Sequence, residues 1–164
     1  MARRKQRSEI IKLVLGLVLV VGGGILFIGA VSGWFDSKVS LDVESNCEDN
    51  CKSFIEINAE QYENLVKEGK SFVVLVDQGG CTTADRMRGF MGEWMGRNHK
   101  RAYRMMFEEM KKTALHDVVK YYPSVVIIKG GRPLAYLKAD SDEDVEKYNS
   151  YEALEGWLNN YIEL

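Results

Sequence analysis

The stretch VVLVDQGGCTTADRM, from Val73 to Met87, decides the fold of this chain. Its first half is a continuous apolar run, which is typical of a strand buried on both faces of a sheet. Two glycines follow, and a single cysteine then opens a segment with helical periodicity. Cys81 is therefore predicted at the N-terminus of a helix, where unpaired N–H groups and the helix dipole favour a thiolate. This arrangement predicts a reactive thiol.

The second cysteine that such a thiol usually has is missing. It would stand three residues further on, where this chain has Ala84. Cys81 then cannot close the usual four-residue disulfide, so another thiol must resolve a mixed disulfide formed on it. The other cysteines are Cys47 and Cys51. Two hypotheses stay open for them: they pair with each other, or one of them is the resolving thiol for Cys81.

The N-terminal part of the chain differs sharply in composition from the rest. The segment from Leu13 to Phe35 contains no charged residue, and its 23 residues would rise about 34 Å as a helix, enough to cross a bilayer core. The twelve residues before it hold five Lys or Arg side chains and one acid, Glu9. This basic flank predicts a cytoplasmic N-terminus, with the following domain outside the cytoplasm.

Four segments follow from this pattern. They are a cytoplasmic basic tail (1–12), a transmembrane helix (13–35), a juxtamembrane linker (36–52) and a folded domain (53–164). A cleaved signal peptide is the alternative, because Ala30-Val31-Ser32 offers a small-residue cleavage site. The apolar run is longer than a typical signal-peptide core, which favours an uncleaved, single-pass anchor in the cell membrane. Cleavage would instead make the domain a secreted protein.

Strands and helices alternate in the folded domain, in the predicted order βαβαβαββα. Strands are predicted at 53–57, 71–76, 101–107, 124–129 and 133–138, and helices at 58–69, from 81 onward, at 111–122 and at 150–162. Asn58 and Gln61 form a predicted capping box, and Gly130-Gly131 a tight turn. The acidic segment Asp140–Glu146 is predicted to be a solvated loop. The helix after Cys81 shows a buried stripe: Met87, Phe90, Met91, Trp94 and Met95.

This order of elements, the position of Cys81 and the segment YYPSVVIIKGGRPLAYL (Tyr121–Leu137) together resemble the thioredoxin-like superfamily. The resemblance covers roughly Ser53 to Leu164. It implies an α/β fold in which helices flank a central mixed sheet. It also implies that Pro123 is the family's cis-proline, which faces the active-site cysteine, and that the Tyr122–Pro123 bond is cis.

The sequence departs from that family at two places. Ala84 replaces the second cysteine of the CxxC motif, which leaves a single-cysteine CxxA variant. The connection from Asp77 to Gly80 is shorter than the aromatic-rich segment of thioredoxins. Its length is closer to that of glutaredoxins and of the bacterial thioredoxin-like accessory proteins of peptide export. Asp77 is therefore not equated with the buried aspartate that assists thioredoxin.

The sequence predicts a membrane-anchored, extracytoplasmic thioredoxin-like protein in thiol–disulfide exchange with exported proteins or peptides. Cys81 is the predicted nucleophile. Predicted to bind the substrate are Tyr122, Pro123, Gly80 and Thr82. The alternative is a non-catalytic binding or accessory module of a membrane or export assembly. No nucleic-acid partner is expected for an acidic extracytoplasmic domain, and neither a cofactor nor a metal is predicted, since the cysteine spacing matches no recurring zinc motif.

Overall fold

A computed structural model describes residues 38–42, 47 and 51–164 of the chain. The predicted tail (1–12), the membrane helix (13–35), the alternative cleavage site (30–32) and much of the linker (36–52) lie outside the described residues. Within the described ranges, no helix combines the length and apolar character needed to cross a membrane.

The described part of the chain folds into five strands, five α-helices and one 3-10 helix. The strands are β1 (Ile55–Ile57), β2 (Phe72–Asp77), β3 (Tyr103–Met106), β4 (Ser124–Lys129) and β5 (Arg132–Tyr136). The helices are α1 (Ala59–Lys67), α2 (Thr82–Asn98), α3 (Phe107–Met110), α4 (Val145–Asn149) and α5 (Tyr151–Tyr161), with the 3-10 helix at Ala114–Asp117.

The strands form one mixed sheet in the order β1-β3-β2-β4-β5. β3 pairs in parallel with β1 and β2, whereas β4 is antiparallel to both β2 and β5. All six residues of β2, the central strand, are buried. The expectation of a strand buried on both faces is therefore confirmed, and the strand leads directly to the loop that holds Cys81.

Alternate residues of β2 point to opposite faces of the sheet, and each face has its own apolar core. Val73 and Leu75 pack on the face that α2 and α5 cover. Val74 and Val76 pack on the other face, in a cluster that includes Tyr62 of α1. The sheet is therefore the middle layer between two sets of helices, as the resemblance implied.

Helix α2 is fastened to the first of these cores by its predicted apolar stripe. Met87, Met91, Trp94 and Met95 are completely buried, and Phe90 packs against the same cluster. The Trp94 indole N–H also donates a hydrogen bond to Asn159 of α5, at 3.3 Å. Truncating a buried tryptophan typically costs about 3–5 kcal/mol, so this stripe fixes the helix and, with it, the position of Cys81.

The predicted local signals at the helix and strand ends are present. Asn58 and Gln61 make the reciprocal hydrogen bonds of a capping box at the start of α1. Ser150 caps α5 by accepting a hydrogen bond from the Ala153 N–H. Gly131 has a φ of +74°, and a Cβ atom there would lie 2.3 Å from the Val66 carbonyl oxygen, so the turn requires glycine.

The predicted helix at 111–122 is wrong. Helix α3 ends at Met110, just before this range, and within the range the chain forms the 3-10 helix and then runs irregularly to Pro123. Thr113 interrupts the helix, because its hydroxyl donates to the Met110 carbonyl and also accepts from the Leu115 N–H. Pro123 disfavours helical backbone at the residue before it, which keeps the end of the segment extended.

The prediction that Asp140–Glu146 is wholly a loop needs correction at its C-terminal end. Helix α4 begins at Val145, before the predicted final helix. The Asp144 carboxylate, just before α4, accepts a hydrogen bond from the Lys138 N–H at 2.8 Å. Tyr148 of α4 is buried, so the acidic segment ends in a packed element.

Candidate active site

Cys81 is the N-cap residue of α2 and has a free, half-buried thiol. Its backbone carbonyl accepts the first hydrogen bond of the helix, from the Asp85 N–H at 3.0 Å. The preceding Gly80 has a φ of +80°, a left-handed conformation that favours glycine. The sequence therefore turns sharply out of β2 and presents the sulfur at the start of a long helix.

The Tyr122–Pro123 peptide bond is cis, as the resemblance implied, and it faces the same opening as the thiol. Cys81, Tyr122 and Pro123 line a cleft of about 460 Å³. We call this opening the Cys81 cleft; its remaining lining residues are Thr83, Ala139, Asp140, Ser141, Asp142, Val145, Tyr148 and Asn149. The structure thus brings together three of the predicted site residues from distant parts of the sequence.

Two other predicted substrate-binding residues lie beside the cleft rather than in its wall. Gly80 and Thr82 are exposed neighbours of Cys81 in the chain. Thr83 contributes to the cleft wall instead of Thr82. The difference follows from helix geometry, since successive residues in the first turn of α2 point about 100° apart.

The far wall of the cleft is built by α4 and the loop before it. The Tyr148 hydroxyl donates a hydrogen bond to the Pro123 carbonyl at 2.9 Å. Burial, with the nearby charges of Asp144 and Asp140, raises the pKa of Tyr148, so the phenol stays protonated and remains a donor. Arg86 of α2 donates to the Asn149 side chain. Helix α4 therefore connects the cis-proline loop to the helix that carries the thiol.

Tyr148 was not predicted to be part of the site. A signal was present, because Tyr148 is an aromatic residue within an otherwise polar segment, which indicates a position that packs against the domain. What the sequence could not show is that its hydroxyl meets the carbonyl of Pro123.

Beneath α2, a buried carboxylate ties the helix to the sheet. Asp77 is completely buried at the end of β2 and forms ion pairs with Arg88 of α2 and, at 2.8 Å, with the Arg104 Nε of β3. Arg104 also donates to Glu56 at 2.9 Å. Burial disfavours the charged form of Arg104, but the hydrogen bonds to Glu56 and Asp77 outweigh it and raise its pKa. Both oxygens of Asp77 are thus occupied by guanidinium groups.

The remaining cysteines lie at the other end of α2. Cys47 and Cys51 form a disulfide, and the Cys47 N–H donates to the carbonyl of His99, the C-cap of α2. Lys52, the residue after Cys51, packs along α2, and a Cβ atom added at Gly96 would lie 3.1 Å from its side chain. Glycine at this position therefore allows the segment that contains the disulfide to approach the helix closely.

The length of α2 separates the two sulfur sites. The helix has 17 residues, or about 26 Å, with Cys81 before its first residue and the disulfide against its last turn. The structure therefore pairs Cys47 with Cys51 and does not bring either of them to Cys81. Among the described residues, no group of three His, Cys, Asp or Glu side chains is arranged to hold a metal.

Comparison with known proteins identifies the fold. No protein-family model matches the chain, and no curated protein matches it. Solved structures of thioredoxins, in contrast, match the chain. The oxidized form of mitochondrial thioredoxin 3 from Saccharomyces cerevisiae superposes with a TM-score of 0.51 at 17% identity, covering 68% of this chain and 99% of that chain. A reduced thioredoxin from Schistosoma mansoni gives a TM-score of 0.51 at 15% identity, with 67% and 99% covered.

These identities are low, so the similarity shows the fold alone. The described domain has the thioredoxin-like fold: a mixed five-stranded sheet between two helical layers, a cysteine at the start of α2 and a cis-proline before β4. This confirms the fold that the resemblance implied.

Proposed function

We propose that this chain is a thioredoxin-like protein that exchanges thiols and disulfides with cysteine-containing protein or peptide substrates through Cys81 alone. The observation that carries the proposal is the shared cleft: a free thiol at a helix N-terminus faces a cis-proline across an opening of about 460 Å³. Cys81 reacts as its thiolate, which attacks one sulfur of a substrate disulfide.

The polypeptide around the cleft is suited to hold an extended substrate. Pro123 directly precedes β4, and both Tyr122 and Pro123 line the cleft. An extended peptide that lies along this segment would pair with main-chain groups in the manner of an added strand. The hydrogen bond from Tyr148 to the Pro123 carbonyl supports this by fixing the orientation of the cis-proline loop.

A mixed disulfide on Cys81 requires a thiol from outside the chain for its resolution. Ala84 is completely buried where a second active-site cysteine would stand, and Cys47 and Cys51 form a disulfide toward the opposite end of α2, a helix about 26 Å long. We infer that the substrate's second cysteine or a separate thiol completes the exchange.

We further propose that the domain is tethered to a membrane and faces an oxidising, extracytoplasmic compartment. The uncharged run from Leu13 to Phe35 and its basic N-terminal flank support the tether. The disulfide between Cys47 and Cys51 supports the compartment, because such bonds persist mainly outside the cytosol.

The test is the rate at which Cys81 forms a mixed disulfide with a neutral probe, 2-hydroxyethyl disulfide, at pH 7. The purified full-length chain in a non-ionic detergent is compared with a synthetic peptide of residues 78–86, and adducts are counted by mass spectrometry. We expect the folded chain to react at least about tenfold faster than the peptide, because only the fold supplies the helix N-terminus. Equal or slower reaction would reject the exchange function.

The buried Ala84 also favours a second candidate, a non-catalytic binding or accessory module that retains the cleft for peptide recognition. The two candidates differ in what a Cys81→Ser variant does in a pull-down with a peptide that the wild-type chain captures. A module keeps its partner in the variant, whereas an exchange protein loses the covalent complex that a non-reducing gel displays.

A further inference from the structure

We propose that the Cys81 cleft selects cationic substrates: cysteine-containing peptides with a Lys or Arg side chain close to the reacting sulfur. The inference rests on the proposed exchange at Cys81 and names its substrate class. It is carried by the charges of the cleft wall. Of the described residues that line the cleft, the charged ones are Asp140 and Asp142, and no Lys or Arg is among them.

Positive side chains lie near this wall but outside the cleft lining, and Lys147 is the one among them that is paired with an acid. Lys147 forms an ion pair with Asp144 at 2.8 Å, and the Lys138 ammonium lies 5.9 Å from the centre of the Tyr136 ring. Arg86 donates to the side chain of Asn149. Asp140 and Asp142 are both exposed, so a cation that enters the cleft meets two carboxylates accessible from solvent.

The acidic wall is held in place by the structure that follows it. The Asp144 carboxylate fixes the end of the loop by accepting from the Lys138 N–H, and Tyr148 fixes α4 to the Pro123 carbonyl. Asp140 and Asp142 therefore belong to a loop whose end is fixed, and they line the same cleft as Cys81, Tyr122 and Pro123. A substrate bound along Tyr122–Pro123 would lie in a cleft that contains both the thiol and these charges.

A second, smaller cleft continues from this wall. It has a volume of about 160 Å³ and shares Ala139 and Asp140 with the Cys81 cleft. Tyr121, which is 56% exposed, contributes an aromatic surface to it. Lys120 and Lys138 also line this second cleft, so the purely acidic lining is confined to the Cys81 cleft. A basic residue of the substrate is therefore expected beside the reacting cysteine, and an apolar residue that flanks it could pack on Tyr121.

The proposed step is a balanced thiol–disulfide exchange. The Cys81 thiolate attacks one sulfur of a substrate disulfide, forms a new S–S bond to it, and releases the other sulfur as a thiolate that takes a proton from water. No external oxidant or reductant is consumed. Two wall carboxylates lower the energy of a cationic disulfide in the cleft and raise that of an anionic one, which also disfavours anionic thiols such as glutathione as resolving partners.

The test compares three small disulfides that differ in charge: cystamine (cationic), 2-hydroxyethyl disulfide (neutral) and 3,3′-dithiodipropionate (anionic). Their rates of adduct formation on Cys81 are measured at low ionic strength in the full-length chain and in the double variant Asp140→Asn/Asp142→Asn. The neutral probe in each protein corrects for changes in folding or thiol reactivity. A matched control, Glu68→Gln/Glu163→Gln, removes two exposed carboxylates from the ends of α1 and α5.

We expect the cystamine-to-neutral rate ratio to fall about 3- to 10-fold in the Asp140→Asn/Asp142→Asn variant, and the anionic-to-neutral ratio to rise. Added salt at 0.5 M should remove most of the difference, and the control variant should change each ratio less than about twofold. Unchanged ratios, with Cys81 still reacting quickly with the neutral probe, would overturn the charge selection alone. Failure of Cys81 to react with any probe would overturn the exchange function and this inference with it.

Discussion

Helix α2 has cysteines near both of its ends, and the two cysteine sites differ in structure. At its N-terminus, Cys81 is free and faces an open cleft. At its C-terminus, the Cys47–Cys51 disulfide is closed, Cys51 is buried, and the segment is fastened to His99 and packed along the helix glycines. A cysteine count alone does not reveal this division. The three cysteines are one free thiol and one disulfide, which we call the staple, and the two lie toward opposite ends of α2.

The largest effect is expected when the free cysteine and the disulfide are mutated separately. Cys81→Ser should abolish mixed-disulfide formation with 2-hydroxyethyl disulfide, whereas Cys47→Ser/Cys51→Ser should leave the rate at Cys81 within about twofold of wild type, since the ends lie about 26 Å apart. Mass spectrometry of the adducts gives both rates. A strong loss in the double variant would show that the staple takes part in the chemistry after all.

The staple should matter for stability instead. The loop it closes spans five residues, for which chain entropy predicts a contribution of about 2 kcal/mol to the free energy of unfolding. This contrast between kinetics and stability is what distinguishes a staple from a resolving pair.

The next effect concerns how the reactive end is anchored. Asp77→Asn would leave Arg88 and Arg104 without their shared buried carboxylate, and we expect the free energy of unfolding to fall by about 3 kcal/mol. Urea denaturation followed by tryptophan fluorescence measures this. Glu56→Gln is the matched control, because its carboxylate is 60% exposed and pairs with the same Arg104, so its loss should cost less than about 1 kcal/mol. If both variants lost the same free energy of unfolding, the buried ion pairs of Asp77 would not be what anchors α2 to the sheet.

Some features behind these predictions could be predicted from the sequence and others could not. Local patterns predicted four features that the structure has: the buried β2, the capping box of Asn58, the Gly130-Gly131 turn and the position of Cys81 at a helix start. Such signals need only the neighbouring residues. They supported the resemblance to the thioredoxin-like superfamily, and it was that resemblance, rather than the local patterns, that implied the meeting of Cys81 with Pro123.

What the sequence did not reveal depends on contacts between distant segments. Apolar spacing at 111–122 indicated a helix, but the hydroxyl of Thr113 forms competing hydrogen bonds and the chain turns instead. Asp77 was visible as an acid at the end of an apolar strand, yet its two arginines come from α2 and β3. The wall formed by α4 was hidden for the same reason, because Tyr148 acquires its role only from the carbonyl of Pro123.

A smaller effect is expected from that wall. Tyr148→Phe removes the donor to the Pro123 carbonyl and should lower the free energy of unfolding by about 1–2 kcal/mol, since a buried acceptor loses its partner. It should also slow adduct formation on Cys81 by a peptide disulfide more than by 2-hydroxyethyl disulfide, because the cis-proline loop positions the peptide. Tyr161→Phe, far along α5, serves as the control and should change neither quantity. Equal slowing of both probes would contradict a role for Tyr148 in peptide positioning.

The smallest effect is a pH dependence of the acidic loop. Burial alone would raise the pKa of Asp144, but hydrogen bonds from the Lys138 N–H and the Lys147 ammonium lower it below the ordinary 3.8. The folded state therefore prefers the ionised form, which contributes stability above about pH 4 that is lost as the pH falls through the lowered value. Asp144→Asn should remove this contribution, so the loss of folding free energy between pH 6 and pH 2 should become smaller by less than about 1 kcal/mol. Thermal unfolding measured across this pH range gives the difference. An unchanged profile would contradict the assignment.

The most direct test of single-cysteine exchange follows a mixed disulfide on Cys81 over time. The full-length chain is loaded with a fluorescent peptide disulfide that releases a single thiol, the excess is removed, and release of the bound peptide is followed without and with added dithiothreitol. The Ala84→Cys variant, which supplies a second thiol at the buried position, is the positive control for release within the chain. If exchange uses Cys81 alone, wild type should keep the peptide until the external thiol is added, whereas the variant should release it unaided. Spontaneous release from wild type, or failure of the peptide to load at Cys81, would contradict single-cysteine exchange.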